Sequence, residues 1–252
     1  MEITATDAAA AQSPPLSRTD ALFIDFDGTL VEIAATPDRV EVVAGLPELL
    51  QRVAARLGGA LAVISGRPLA DLGRLLPGYT GAAAGVHGLE RRSASGLMQR
   101  TAPDPTLDLV WPAVRQFAAM TQGVLIEDKG LAIAIHYRGR PELADACRRI
   151  AEQAVVLSED RLAMLPGKMV IELRPRTIDK GQAIHAFLAE APFRGRRPVF
   201  VGDDRTDEDG FAVVNSLDGL SIHVGATADS VARHQLDSVA AVIHWLEKFL
   251  AA

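Results

Sequence analysis

Residues 21–30 read Ala-Leu-Phe-Ile-Asp-Phe-Asp-Gly-Thr-Leu, and they indicate how the rest of the chain folds. The apolar start predicts a buried strand, and the glycine after the second aspartate ends the regular backbone. Alternation along a regular strand would place Asp25 and Asp27 on one side. Open α/β sheets bind ligands at the carboxyl ends of their strands, so a site is expected here. The alternative is an ordinary turn, because Asp-Gly is a common turn dipeptide.

Two carboxylates at this spacing can divide the work of a hydrolysis between them. One can attack phosphorus as a nucleophile while the other gives a proton to the leaving oxygen. Carboxylates this close also repel each other, which favours a bound cation or a raised pKa on one of them.

The composition is that of an ordinary globular protein. The chain has 252 residues, 48% of them hydrophobic and 23% charged, which is enough to bury a full core. No apolar run approaches the ~18–20 residues of a membrane span, and no secretory signal pattern is present. The net charge of −6 argues against nucleic-acid binding, and the single cysteine, Cys147, fits a reducing cytosol. We therefore expect a cytoplasmic protein without membrane or nucleic-acid partners.

A second motif follows the next predicted strand, an apolar run over 60–64 that leads into Ser65-Gly66-Arg67-Pro68. A serine hydroxyl and a free backbone N–H at a strand end can bind phosphoryl oxygens. Arg67 can bind phosphate or sugar oxygens with its planar fork. The alternative is a purely structural role at a helix start, with Ser65 as the N-cap and the proline in the first turn.

Charged residues at two later positions in the chain are further candidates for the same site. Lys180 lies in the first turn of a predicted helix capped by Asp179, where the helix dipole disfavours a cation. This conflict favours a functional role for its charge over the alternative of an ordinary surface lysine. A buried strand over 197–201 ends in Gly202 and then Asp-Asp-Arg-Thr-Asp-Glu-Asp at 203–209. Such a run repels unless a cation binds, and its oxygens suit Mg²⁺. An acidic helix N-terminus explains the end of this run but not Asp203.

Residues 103–175 follow a different pattern. We expect helices over 107–120 and 142–154, alternating strands over 131–138 and 168–174, and short strands near 155–157 and 162–164. Alternation indicates an antiparallel sheet with helices on one face and an open second face. That open face would carry mixed charges suited to sugar hydroxyls and an anion, or else a solvated charge pattern: Glu127, Lys129, Lys168 and Glu172. Along the last strand, Met169 is expected to face the core.

The predicted fold class is therefore α/β, with a Rossmann-like parallel-sheet core domain and an inserted smaller α/β cap domain. The core is assigned to residues 20–102 and 176–252, and the cap to 103–175. Residues 1–19 are rich in Ala, Ser, Thr and Pro without periodicity, which predicts a flexible leader.

The order of these motifs resembles the haloacid dehalogenase superfamily, whose members are mostly phosphatases. Within the insert, Glu-Asp-Lys-Gly at 127–130, His-Tyr-Arg at 136–138 and Gly-Lys-Met-Val-Ile-Glu-Leu-Arg-Pro at 167–175 look like cap motifs of the trehalose-6-phosphate phosphatases. Gly-Val-His-Gly at 85–88 and the run at 202–208 are similar to that family's core motifs. The resemblance covers roughly residues 21–230 in colinear order.

The resemblance implies a Mg²⁺-dependent phosphatase that hydrolyses trehalose 6-phosphate to trehalose and phosphate through an aspartyl-phosphate, the last step of trehalose biosynthesis. It also implies the stand-alone bacterial form with no preceding glycosyltransferase domain, and we expect a monomer. The implied catalytic residues are Asp25 as nucleophile, Asp27 as acid and base, Thr29 ordering the loop, and Ser65 and Lys180 holding the phosphoryl group.

The other implied roles concern the metal and the sugar. Mg²⁺ would bind Asp25, the carbonyl of Asp27, and Asp203, with Asp204 and Asp207 orienting Lys180 or metal-bound water. On the substrate side the resemblance places Gly66, Arg67, His87, Glu127, Lys129, Lys168 and Glu172. For His87, a turn residue in a Gly-rich loop is the alternative.

Two rival functions remain at this level. The same chemistry could act on another sugar phosphate, such as sucrose phosphate or a phosphorylated mannosyl glycerate. A non-catalytic module that senses a phosphosugar is the second rival. The joint presence of Asp25, Asp27, Lys180 and Asp203 favours an enzyme over a sensor.

Overall fold

A computed structural model describes residues 14–34, 36–102, 104–176, 179–227 and 229–252, which form two β-sheets and their helices. The larger sheet contains β1 (Ala21–Asp25), β2 (Leu61–Ile64), β3 (Ala82–Gly85), β4 (Glu90–Arg92), β5 (Met98–Arg100), β10 (Pro198–Gly202), β11 (Leu220–Val224) and β12 (His234–Leu236). The smaller sheet contains β6 (Leu125–Asp128), β7 (Ile133–His136), β8 (Leu162–Gly167) and β9 (Val170–Pro175). The helices are α1 (Leu46–Arg56), α2 (Leu69–Leu75), α3 (Thr106–Met120), α4 (Ala144–Leu157), α5 (Lys180–Leu188), α6 (Glu208–Ser216) and α7 (Val239–Ala251).

The larger sheet has the strand order β12-β11-β10-β1-β2-β3-β4-β5. The strands from β12 to β3 run parallel, while β4 and β5 add an antiparallel hairpin at one edge. The strand β1 is fully apolar up to Ile24 and fully buried, as expected for a parallel strand covered on both faces. The α/β fold predicted from the sequence is confirmed.

The strand order places the ends of three strands together. β1 pairs with β2 on one side and with β10 on the other, so the order along the chain reverses at β1. Ligand sites of open α/β sheets lie at such a reversal, beyond the carboxyl ends of the strands. Asp25, Ser65 and Asp203 stand at or just after the ends of these strands, so the fold brings them to one edge.

The smaller sheet has the order β6-β7-β9-β8 and is antiparallel throughout. Helices α3 and α4 cover one face, where Val110 and Val114 pack with Ile133, Ile135 and Cys147. The opposite face carries a row of neighbouring residues, Glu127, Ala134, Glu172 and Leu165, that is turned away from these helices. The antiparallel sheet with one helix-covered face is as predicted.

Several local predictions were wrong. Residues 155–157 are the last turn of α4 instead of a strand, because the helical hydrogen bonds continue to Ser158 and override the β propensity of Val155 and Val156. Lys168 and Met169 lie in the β8–β9 turn, where Met169 has φ 63° and is 41% exposed instead of facing the core.

Other differences concern helix starts and a short strand. Helix α2 begins at Leu69 with Pro68 at its N-cap position, so Ser65 does not cap it. The parallel strand β12 was not predicted, because three residues, His-Gln-Leu, are too short to show a pattern.

Asp179 does cap α5, as predicted, by accepting a hydrogen bond from the backbone N–H of Gln182 at 2.8 Å.

Parts of two predicted segments, the leader and the insertion, lie outside the residues that the structure describes. Residues 1–13 of the predicted leader, and Pro103, where the predicted insertion starts, lie outside the described residues. Of the remaining leader, Pro14 accepts a hydrogen bond from the indole of Trp245 at 2.8 Å, so this end of the leader is held against the core. Among the helices of the described ranges, none has both the length and the apolar character to cross a bilayer.

Candidate active site

Lys180 and two aspartates form a buried charged cluster at the reversal point. The Nζ atom of Lys180 donates hydrogen bonds to Asp25 Oδ1 at 2.8 Å and to Asp207 Oδ1 at 2.7 Å. All three side chains are at most 5% exposed. Lys180 reaches this point because it opens α5, and Asp25 because it ends β1. The predicted proximity of Lys180 to Asp25 is present.

Asp203 approaches the same cluster from the loop after β10. Oxygens of Asp25, Asp203 and Asp207 all lie within 4.8 Å of one another. The approach depends on Gly28, which has φ 85°, because a Cβ there would lie 2.1 Å from Asp203 Oδ2. Asp203 Oδ1 is buried and has no hydrogen-bond partner in the described part of the chain. Three close carboxylates with one unsatisfied oxygen fit a divalent cation.

Burial perturbs the acids of this cluster. It raises the pKa of Asp25 well above its ordinary value, although the Lys180 ammonium opposes that shift. Burial, reinforced by Asp204 and Asp207, raises the pKa of Asp203 to about 7. Burial also raises the pKa of Asp207 to about 6, again against the effect of Lys180. Without a cation, the cluster therefore retains protons near neutral pH.

The pKa values of Lys180 and Asp204 shift in the directions that favour their charged forms. Burial alone would lower the pKa of Lys180, but Asp207 and Asp25 raise it well above its ordinary value. Burial alone would raise the pKa of Asp204, but Lys180 and hydrogen bonds from Thr206 lower it. The cluster thus holds one permanent positive charge among its acids.

Asp207 also organises the loop backbone. Its Oδ2 atom accepts hydrogen bonds from the backbone N–H groups of Asp203 and Asp204 at 3.0 and 3.1 Å. The side chain of Asp204 in turn accepts from the N–H of Thr206 at 2.8 Å. These bonds form a capping box that leads into α6, whose first turn contains Glu208 and Asp209. The acidic run thus serves both a helix start and the charged cluster.

Asp27 makes a different contact from Asp25. The Arg67 guanidinium forms a bidentate ion pair with the Asp27 carboxylate. Its Nε atom donates to Oδ2 at 2.7 Å, and its Nη2 atom donates to Oδ1 at 2.8 Å. Arg67 was predicted on the substrate side, and it does line the cavity described below. Its bidentate pair with Asp27 had no signal in the sequence, because the two residues are 40 positions apart.

Ser65, directly after β2, and Thr29, in the loop after β1, are fully buried. Ser65 Oγ accepts a hydrogen bond from the backbone N–H of Arg67 at 3.1 Å. Thr29 Oγ1 has no hydrogen-bond partner within the described ranges. Neither residue lines the cavity in this conformation.

A cavity of about 710 Å³ lies between the two sheets. This volume is within the range of small-molecule sites, ~300–1,000 Å³. The predicted site residues that line it are Asp25, Asp27, Gly66, Arg67, His87, Glu127, Lys129, Lys168, Glu172, Lys180, Asp203 and Asp204. The acids of the larger sheet form one wall, and the polar face of the smaller sheet forms the opposite wall.

The wall from the smaller sheet holds a second buried charged group. Glu172 Oε2 accepts from Lys129 Nζ at 2.6 Å, and Lys129 also donates to the carbonyl of Gly66 at 3.0 Å. Burial alone would raise the pKa of Glu172, but the Lys129 ammonium holds it well below its ordinary value. Burial lowers the pKa of His87, so its imidazole is neutral near pH 7. The predicted cap residues are thus together, and two of them contact the larger sheet.

The sequence reasoning missed several cavity residues. His136 contacts Glu127 Oε2 at 2.8 Å, and Arg138 and Arg205 also line the cavity. The polar face of the alternating strand over 131–138 already contained His136 and Arg138, so that pattern was the available signal. Ile33 and Val40 close the cavity from the loop after β1, and nothing in the sequence distinguished them.

Comparison with known proteins places this geometry in a family. The sequence profile described as Trehalose-phosphatase matches residues 23–241. This chain belongs to the trehalose-phosphatase family. The trehalose-6-phosphate phosphatase of Escherichia coli (strain K12) is 43% identical over 242 residues, which is 96% of this chain and 90% of that protein. The family prediction is confirmed.

Solved structures agree with the trehalose-phosphatase assignment. A trehalose-6-phosphate phosphatase related protein superposes with a TM-score of 0.75 at 26% identity, covering 91% of this chain and 96% of that one. A haloacid dehalogenase-like hydrolase from Bacteroides thetaiotaomicron superposes with a TM-score of 0.67 at 16% identity, covering 91% and 97%. The latter likeness shows the fold alone.

The carboxylate cluster predicts a pH-dependent effect of a divalent cation. Raised pKa values mean that the folded metal-free protein holds protons that the unfolded chain has lost, so its stability falls as pH rises towards 8. A cation must displace those protons at pH 6 but not at pH 8. The increase in melting temperature caused by Mg²⁺ should therefore be larger at pH 8 than at pH 6.

Differential scanning fluorimetry with Mg²⁺ or EDTA at both pH values measures this increase. Asp203→Asn should lose most of it, whereas Asp145→Asn, an equal charge change on the exposed side of α4, should keep it. An increase that is equal at both pH values, or that survives Asp203→Asn, would contradict the assignment.

Proposed function

We propose that this chain is a Mg²⁺-dependent phosphatase that hydrolyses trehalose 6-phosphate to trehalose and phosphate, the last step of trehalose biosynthesis. The supporting observation is the cavity in which the Asp25–Lys180–Asp203 cluster faces the Glu172–Lys129 pair, in a chain of the trehalose-phosphatase family. One wall suits a phosphoryl group, and the other wall suits sugar hydroxyls.

The first step of the proposed reaction transfers the phosphoryl group to Asp25. A carboxylate oxygen of Asp25 attacks phosphorus, and the bond from phosphorus to the sugar oxygen breaks. Asp27 gives a proton to that departing oxygen, which leaves as a hydroxyl of trehalose. Arg67 holds both oxygens of Asp27 in the described conformation, so proton delivery requires that this ion pair separates.

The second step returns Asp25 to its starting form. Asp27, now ionised, takes a proton from a water molecule, and the resulting hydroxide attacks the phosphorus of the aspartyl-phosphate. The bond from phosphorus to Asp25 breaks and phosphate leaves. Lys180 stays beside Asp25 throughout and offsets the negative charge of the phosphoryl oxygens.

The divalent cation would be held by Asp25, Asp203 and the backbone carbonyl of Asp27. When bound, it would neutralise the carboxylates and the phosphoryl oxygens and so lower the barrier to attack. Asp207 holds Lys180 and the loop of Asp203, and Asp204 holds the turn that follows. We assign Ser65, directly after β2, to the phosphoryl group, and Thr29 to the ordering of the loop after β1.

The sugar would bind against the smaller sheet, which acts as the cap. We assign Glu127, Lys129, Lys168 and Glu172 to the sugar hydroxyls, since charged partners form the stronger hydrogen bonds. Gly66, Arg67 and His87 belong to the opposite side of the same cavity. Closure of the cap over the substrate would exclude bulk water from the reaction.

Three further assignments complete the proposal. The core domain comprises residues 20–102 and 176–252, and the cap comprises 103–175. The protein works as a monomer. It works in the cytoplasm, in keeping with the single cysteine, Cys147, which is buried between helix and sheet of the cap.

A panel of sugar phosphates tests the proposed substrate. Phosphate release is measured from trehalose 6-phosphate, sucrose phosphate, a phosphorylated mannosyl glycerate and glucose 6-phosphate, with Mg²⁺ or with EDTA. We expect a clear preference for trehalose 6-phosphate and loss of turnover in EDTA. A preference for another member of the panel, or full activity in EDTA, would contradict the proposal.

Replacement of Asp25 tests the nucleophile. Asp25→Asn keeps the size of the side chain and a hydrogen-bond acceptor for Lys180, but an amide cannot attack phosphorus. Turnover of trehalose 6-phosphate should fall by about 10³-fold or more, while substrate binding measured by calorimetry stays within about threefold. Asp145→Asn is the matched control and should retain full activity. Turnover near that of the unsubstituted enzyme would refute the nucleophile assignment.

Replacement of the cap pair tests sugar recognition. Lys129→Ala and Glu172→Ala each remove charged hydrogen bonds, so kcat/KM for trehalose 6-phosphate should fall by about 10- to 100-fold. Hydrolysis of a small aryl phosphate, which does not reach the cap, should change by no more than about threefold. Lys248→Ala, on the exposed side of α7, is the control. Equal losses on both substrates would mean that the pair serves stability or chemistry instead.

A further inference from the structure

The loop that carries His87 has an unfavourable backbone conformation. Val86 and His87 have φ values of 47° and 56°, in the left-handed region that side-chain-bearing residues rarely adopt. Two hydrogen bonds hold them there, from the N–H of Val86 to the carbonyl of Arg67 at 3.0 Å and from the N–H of His87 to the carbonyl of Ser65 at 2.9 Å. Backbone strain of this kind persists where its surroundings impose it, and it clusters at functional sites.

This conformation directs the imidazole of His87 at the smaller sheet. His87 Nε2 lies 3.1 Å from Glu172 Oε1, and both side chains are less than a tenth exposed. The ring packs directly on Gly66, where a Cβ would lie 2.8 Å from Nε2. In the described part of the chain, the contact with Glu172 is the one polar side-chain contact of this imidazole at hydrogen-bonding distance, and Glu172 belongs to the smaller sheet.

The two oxygens of Glu172 are used unequally. Oε2 is bonded to Lys129, which is itself tied to the carbonyl of Gly66. Oε1 is close to His87 but is not aligned for a hydrogen bond, and across the described ranges both Oε1 and His87 Nδ1 lack a hydrogen-bond partner. A buried carboxylate oxygen without a donor is costly. Glu172 therefore has acceptor capacity left at the border of the cavity.

We propose that His87 is a positioning residue for sugar recognition that acts through Glu172. The imidazole belongs to the core and the carboxylate to the cap, so their contact sets the direction of Glu172 only when the two sheets are together. In that position Lys129 supplies the counter-charge and fixes Oε2, while His87 restricts Oε1 to the side from which a sugar hydroxyl donates. This inference rests on the proposed function, because it assigns a residue that determines specificity within that site.

A double-mutant cycle tests whether His87 acts through Glu172. The variants are His87→Asn, Glu172→Gln and the double variant; asparagine tolerates the left-handed backbone, so the loop is kept while the ring is lost. His244→Asn, exposed on α7, is the matched control. For each variant, kcat and KM are measured with trehalose 6-phosphate and with a small aryl phosphate, and thermal unfolding confirms that the protein is folded.

We expect each single variant to lose about tenfold in kcat/KM for trehalose 6-phosphate, and the double variant to lose little more than one of them, because contacting residues are not additive. Aryl phosphate hydrolysis should stay within about threefold. Losses that multiply in the double variant, or equal losses on both substrates, would overturn the inference. If the unsubstituted enzyme does not hydrolyse trehalose 6-phosphate, the proposed function has failed instead, which separates the two.

Discussion

The ammonium of Lys180, buried between the carboxylates of Asp25 and Asp207, is the interaction on which the site depends. Removal of one member of a buried ion pair leaves an uncompensated charge, at a cost of about 3–5 kcal/mol. The surrounding fold serves this contact: β1 and β10 are neighbours, α5 begins at the cluster, and Gly28 lets the loop of Asp203 approach. One cation does not balance three acids, which explains why burial leaves all three with raised pKa values and leaves room for a metal ion.

The second charged group differs from the first in where its members come from. The residues of the phosphoryl cluster all come from the larger sheet, its loops and helix α5. Glu172 and Lys129 instead come from the smaller sheet and contact His87 and Gly66 of the larger one. In the proposed function, the chemistry belongs to the wall formed by the larger sheet, and recognition belongs to a wall that is complete only when the two sheets meet. This separation explains how one core can serve different substrates through changes in the insert.

The sequence predicted the parts of the site that follow from strand ends. Asp25, Ser65 and Asp203 each end a buried apolar run, and parallel strands bring such ends together whatever the side-chain details. Lys180 was found because a cation in the first turn of a helix conflicts with the helix dipole. The Arg67–Asp27 and His87–Glu172 contacts were not predicted, because they depend on side-chain and loop conformations of residues far apart in the chain. The misplacement of Met169 has a local cause, since an alternating pattern does not show where a tight turn interrupts it.

The insertion of the smaller sheet also determines the order in which the chain can assemble. Its hairpins β6–β7 and β8–β9 pair residues that are close in sequence, so they form early. In contrast, β1 at the centre of the larger sheet pairs with β10, from Ala21 to Pro198. At synthesis rates of ~5–20 residues per second, one edge of this strand, which is apolar from Ala21 to Ile24, waits roughly 10–35 s on the ribosome for its partner. An unpaired apolar edge is prone to aggregate, so the nascent chain passes through a vulnerable interval that the finished enzyme no longer shows.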